Sequence, residues 1–142
     1  MAARSRTPGV GRVLVIVYAI LALAATGRSV FQIIDRFAEA PVAFSLSALS
    51  AVVYIVATVA LIAQWNRVAF VTIAFELLGV LVVGSITTFA PALIGLASND
   101  PFGRTSTVWS SYGLGYLLVP LVLPILGLLY LRARRRASVE AD

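Results

Sequence analysis

Residues Val68–Ala90 read VAFVTIAFELLGVLVVGSITTFA, an apolar run broken by one acid, Glu76. The run exceeds the roughly 20 residues with which an α-helix crosses about 30 Å of hydrocarbon. Three further apolar blocks flank it: Val13–Ala25, Leu46–Ala63 and Val108–Leu131. The first is short but extends through Gly27–Ile34, which is still largely apolar. A chain of 142 residues that is 61% hydrophobic has nowhere to hide this surface in water. Its charged fraction of 12% is also about half the soluble norm. Lipid is the solvent that fits, and in lipid a spanning segment must satisfy its own backbone, as a helix does. The fold expected is all-α: a transmembrane four-helix bundle with spans at about 12–34, 45–64, 68–90 and 108–131. Residues 1–142 then form a single integral membrane domain, with no room for a soluble one.

Every basic residue is Arg, and the arginines are unevenly placed. Arg4, Arg6 and Arg12 precede the first span, Arg67 lies in the turn between spans two and three, and Arg132, Arg134, Arg135 and Arg136 follow the fourth. Arg28, Arg36 and Arg104 fall on the opposite side. The positive-inside bias puts the N-terminus and C-terminus in the cytoplasm. The protein expected is therefore a multi-pass protein of the cell membrane. An alternative reading takes Arg4–Arg12, the apolar Val13–Leu21 and Ala22-Leu23-Ala24 as a cleavable signal peptide. The apolar run crosses the Ala-rich site without a polar break, which favours an uncleaved span. The net charge of +5 comes from arginines beside spans, so it points to lipid rather than nucleic acid. The Arg132–Arg136 run is read first as a topology anchor and second as a contact for anionic lipid.

The chain contains no Cys and no His. Thiolate chemistry and disulfides are excluded, and so are the commonest general base and metal ligand. No metal site and no cofactor are expected. A paired-carboxylate enzyme would need Asp35 or Glu39 to fold inward to Glu76, and no Ser has a His partner.

Chemistry, if present, sits on polar residues within the spans. Glu76 lies eight residues past Val68, so about 12 Å into the membrane at 1.5 Å per residue. A carboxylate there costs a few kcal/mol or more. It can be held neutral by a proton, paired with an Arg, or hydrated in a cavity. Arg28, with Gln32 one turn on and Ser29 beside it, is the expected partner near the outer end of span one. In span two, Ser47, Ser50, Tyr54 and Thr58 recur at helical spacing on one face. They read as a helix-packing seam with hydroxyls as glue. Span four opens with Trp109-Ser110-Ser111-Tyr112-Gly113-Leu114-Gly115-Tyr116 and then meets Pro120 and Pro124. Trp109, Tyr112, Tyr116, Pro120 and Pro124 share one helical face, and each Pro removes a helical hydrogen bond. A kinked span results, with Tyr112 and Tyr116 as candidate ligand contacts. Asn99-Asp100-Pro101 is a turn, and Pro91 ends span three.

Several of these motifs together resemble a group of small four-span integral membrane proteins of actinobacteria. They are Gly27-Arg28-Ser29 with Gln32, the Ser/Ala-rich second span, Phe75-Glu76-Leu77 followed by Gly79, Trp109–Gly113, and Pro120-Leu121-Val122-Leu123-Pro124. The resemblance covers nearly the whole chain. It implies a membrane location and carries no activity. Small multidrug transporters also have an intramembrane Glu, but in the first span rather than the third. Vitamin K epoxide reductase-like proteins need Cys pairs that this chain lacks.

Two functions follow from these features. The leading expectation is a non-catalytic subunit or scaffold of a larger cell-envelope complex, with a membrane-protein partner or a second copy of itself. The alternative is a small carrier or binding protein for a lipid, small molecule or ion, using Glu76.

Overall fold

The structure, a computed structural model, describes residues 8–96 and 106–141, with side chains over 9–96 and 106–136. All regular structure among these residues is helical, as expected. Helix α1 spans Pro8–Arg36, α2 Pro41–Ala63, α3 Asn66–Phe89 and α4 Val119–Ala141. Short 3-10 turns occupy Phe37–Glu39 and Pro91–Ile94, and a longer one occupies Ser110–Tyr116. Three helices are long and apolar enough to cross a membrane, and a fourth crossing exists if Ser110–Tyr116 and α4 act as one bent span. The chain is thus built as a membrane protein.

The helix ends follow local chemistry. Helix α1 runs through Ala22–Ala24 unbroken. Pro41 opens α2, where its missing N–H is no loss. At the other end Gln64 turns left-handed (φ 61°). The Trp65 N–H then reaches back to Ala60 O at 2.9 Å, satisfying an orphan carbonyl. This two-residue turn sends α3 back antiparallel along α2. Helix α3 stops at Phe89, just before Pro91, as the sequence predicts. Residues beyond it fold against the start of α2, where Ala40, Ala43, Phe44, Ile94 and Leu96 form a small cluster.

The core is a seam of small residues and a few large rings. Helices α1 and α2 make the most extensive pairing in the molecule. Ala22, Ala25 and Ser29 of α1 and Ala43, Ser47, Ser50, Ala51 and Ala57 of α2 are buried, so the backbones approach closely. Outward-facing positions are the opposite: Ile16, Leu23, Ile55, Ile62, Phe70, Leu78, Ile125 and Leu129 are all exposed. That apolar exterior is what lipid contact requires and water forbids. The first turns of α1 and the Tyr130 turn of α4 lie on one side. Tyr130 of α4 sits so close to Gly11 of α1 that a Cβ there would be 2.6 Å from its hydroxyl.

The fourth span departs from expectation. A continuous helix over 108–131, kinked at its prolines, is not what forms. Ser111, Tyr112, Gly113, Leu117 and Leu118 all have left-handed φ, and the 3-10 turn meets α4 at 98°. The break precedes Pro120, which becomes the second residue of α4, where an unbonded N–H is normal. Its ring folds back on Gly113, where a Cβ would lie 2.6 Å from the ring. Trp109, Tyr112, Tyr116, Pro120 and Pro124 therefore do not share a helical face. The Asn99-Asp100-Pro101 turn, Arg4, Arg6, Phe102 and Arg104 lie outside the described residues.

Candidate functional site

Helix α3 turns Ala69, Ile73, Glu76, Val80, Val83 and Thr87 inward. Their steps of three and four residues make one stripe, so the helix that buries its apolar face must also bury Glu76. Glu76 is 0% exposed. Tyr18 of α1, also fully buried, donates its hydroxyl to Glu76 Oε1 at 2.7 Å. Tyr54 of α2 lies against Tyr18, with ring centroids 6.2 Å apart and planes tilted by 48°. Trp109 covers Tyr54 edge-on at 6.4 Å, and its indole Nε1 donates to the Tyr54 hydroxyl at 3.0 Å. Rings from three segments thus stack in a row that ends at a carboxyl.

One glycine makes the row fit, and a second lies against its end. A Cβ at Gly79, one turn past Glu76, would be 2.6 Å from the Trp109 ring. One at Gly127 of α4 would be 3.4 Å from the Tyr18 hydroxyl. The second carboxyl oxygen, Glu76 Oε2, is buried and has no hydrogen-bond partner among the described residues.

The expected Arg28–Glu76 pair does not form. Arg28 Nη1 instead donates to the carbonyl and the hydroxyl of Ser106. Gln32 Nε2 donates to the same carbonyl at 2.9 Å, and the Arg28 guanidinium stands 5.7 Å over the Tyr116 ring. The physical reason is reach. Arg28 sits toward the far end of α1, beside Ser106, whose carbonyl and hydroxyl it reaches. The polar set of Arg28, Gln32 and Glu76 is therefore two sites. Tyr116 belongs with Arg28, and Ser29 is buried in the α1–α2 seam.

The segment between them is held by borrowed side chains. Ser106–Ser110 are all buried. Thr107 N–H donates to Ser110 Oγ at 2.8 Å, and Trp109 N–H to Thr107 Oγ1 at 3.1 Å. Ser111 N–H donates to Thr87 Oγ1 of α3 at 2.8 Å. Tyr112 and Ser85 share a hydroxyl–hydroxyl bond of 2.8 Å, and the Tyr112 backbone lies so near Gly84 that a Cβ there would be 2.7 Å from its nitrogen. Irregular backbone in a membrane is tolerated where protein satisfies it, and here protein does.

The seam in α2 behaves differently from its expected role. Ser50 bonds the Ser47 carbonyl and Thr58 the Tyr54 carbonyl, both at 2.7 Å and within their own helix. Ser47 Oγ has no partner among the described residues. The face is a close-packed seam, but of these four residues Tyr54 carries the hydrogen bond to another segment.

Tyr18 is the residue that sequence reasoning missed. It is the one hydroxyl in Val13–Ala25, and a buried Tyr normally finds a partner for its O–H. Trp109 was legible only as one ring on the expected face of span four, and its approach to Gly79 is seen only in the structure. Among the described residues no group of three or more His, Cys, Asp or Glu could hold a metal. No protein-family model, no curated protein and no solved structure matches this chain.

Proposed function

We propose that the chain is a small carrier or binding protein of the cell membrane, a four-span bundle with both ends cytoplasmic, whose ligand site is Glu76. The observation that carries this reading is the unpartnered Oε2 at the end of the Trp109–Tyr54–Tyr18 row. Buried polar groups that serve only structure are paired as a rule. An orphan lone pair in a buried interior is a place for something that comes and goes. The concentration of arginines at one end supports the orientation.

A second reading keeps the protein as a subunit or scaffold of an envelope complex, bound to another membrane protein or to its own copy. It is favoured by the closed interior, in which Ser50 and Thr58 spend their hydroxyls on their own helix and Thr87 holds the neighbouring Ser111 backbone. The two readings separate in one experiment. The full chain is extracted gently, and its melting temperature is followed against pH, Na⁺, K⁺ and phospholipids, beside Glu76→Gln. A ligand that binds only the folded state raises the melting temperature. A rise that Glu76→Gln abolishes supports the binding reading. A stoichiometric protein partner, with no probe depending on Glu76, replaces it with the subunit reading.

A further inference from the structure

Resting on the reading of Glu76 as a binding site, we propose that its ligand is a single proton, held at Oε2 and exchanged when Trp109 withdraws from Gly79. Size is the first argument. Glu76, Tyr18 and Tyr54 are 0% exposed and Trp109 1%. An organic molecule or lipid chain would have to displace one of three rings that already touch or bond each other.

Coordination is the second argument. A bound metal cation wants a shell of oxygens, six or more for the common divalent ions. The row gathers the two carboxyl oxygens and the hydroxyls of Tyr18 and Tyr54, and both hydroxyls are already committed: one donates to Oε1 and the other accepts from Trp109. A proton needs one lone pair, and one is open.

Charge is the third. The titratable groups facing Glu76 are Tyr18 from α1 and Tyr54 from α2. The neighbouring α4 presents Gly127, and the 106–116 segment presents Trp109, neither of which titrates. Arg28 is engaged at Ser106. Among the described residues no cation is paired with this carboxylate, so its counter-charge has to be taken up, and a proton is the smallest that can serve. On uptake the Oε2–H bond forms and the carboxylate becomes a neutral acid. On release that bond breaks and the proton passes to water admitted beside the indole.

The test is infrared difference spectroscopy on the full chain in lipid nanodiscs, stepped through pH. A neutral-carboxyl C=O band that grows and vanishes with pH is expected. It should be absent in Glu76→Gln, retained in Glu39→Gln, moved in frequency but still titrating in Glu76→Asp, and shifted in Tyr18→Phe as its hydrogen bond is lost. Replacing Na⁺ by choline at fixed pH should leave it unchanged. A band constant across the whole pH range overturns the proposal, and so does one that Na⁺ removes. If the band is constant while a lipid or small molecule still raises the melting temperature through Glu76, the proton fails and the site survives. If nothing depends on Glu76 by either measurement, both fail.

Discussion

Helix α3, and the bent pair of Ser110–Tyr116 with Val119–Arg136, are each apolar enough to cross a membrane, yet they settle their backbones in opposite ways. In α3 every turn is helical from Asn66 to Phe89, and its buried polar residues, Glu76 and Thr87, sit on one inward stripe. In the other segment the helix proper begins only at Val119, and the residues before it lean on Thr87, Ser85 and Tyr54 for their bonds. Apolar composition selects the solvent; it does not guarantee a continuous helix. The α3 crossing is held by its own ladder, whereas the 106–118 crossing is held by its neighbours. It should therefore fail when a neighbour changes.

The largest effect is expected at the joint between the two. Trp109→Ala removes the indole from Gly79 and the donor from Tyr54, and a loss of about 3–5 kcal/mol is expected from such a truncation. Denaturant unfolding in micelles measures it, and a loss below about 1 kcal/mol would show that the segment is not anchored there. The same variant should let a carbodiimide reach Glu76 faster, read as a mass increment on that residue.

Gly79→Ala probes the joint from the α3 side. A methyl 2.6 Å from the Trp109 ring must move the ring, at a cost of about 1–3 kcal/mol. Fluorescence in a Trp65→Phe background should show Trp109 in a changed environment. An unaltered spectrum would mean that the ring has slack.

Smaller effects sharpen the contrast. Tyr18→Phe should cost about 1 kcal/mol, the usual net worth of one hydrogen bond. Leu117, exposed with φ 60°, sits where an L-residue loses roughly 1–2 kcal/mol. Leu117→Gly should therefore stabilise the protein, by less than that full amount because glycine is also freer when unfolded. A melting temperature that falls would contradict the backbone described for the break. Ser50→Ala and Thr58→Ala should change stability by less than about 0.5 kcal/mol, since both hydroxyls only double up on carbonyls of their own helix. A loss several times larger would restore them as interhelical glue.

What the sequence revealed tracks the same division. The α2 and α3 spans were legible to within a few residues, because period and apolar length decide a self-supporting helix. The inward position of Glu76 followed from its stripe. That the fourth span is interrupted was legible from Pro120 and Pro124, but the place and form of the break were not. Reading Trp109, Tyr112 and Tyr116 at intervals near four residues assumes the helix whose existence was in question, and the bonds that replace it come from Thr87 and Ser85, far away in the chain. Arg28 was paired with Glu76 on length and charge alone. No local signal could show that Ser106 would come between them or that Tyr18 would take the carboxyl.

The contact between Tyr130 and Gly11 has a mechanical meaning. Arg134 of the same helix stacks over Tyr130 at 6.0 Å, and the ring it covers rests the foot of α4 against Gly11 at the foot of α1. Its head ends in the Leu117–Leu118 reversal, where two left-handed residues join it to the 3-10 turn. Such a member is a strut, tied at its foot to α1 and braced along its length by α3, and its head is braced in turn by the Pro120 ring on Gly113.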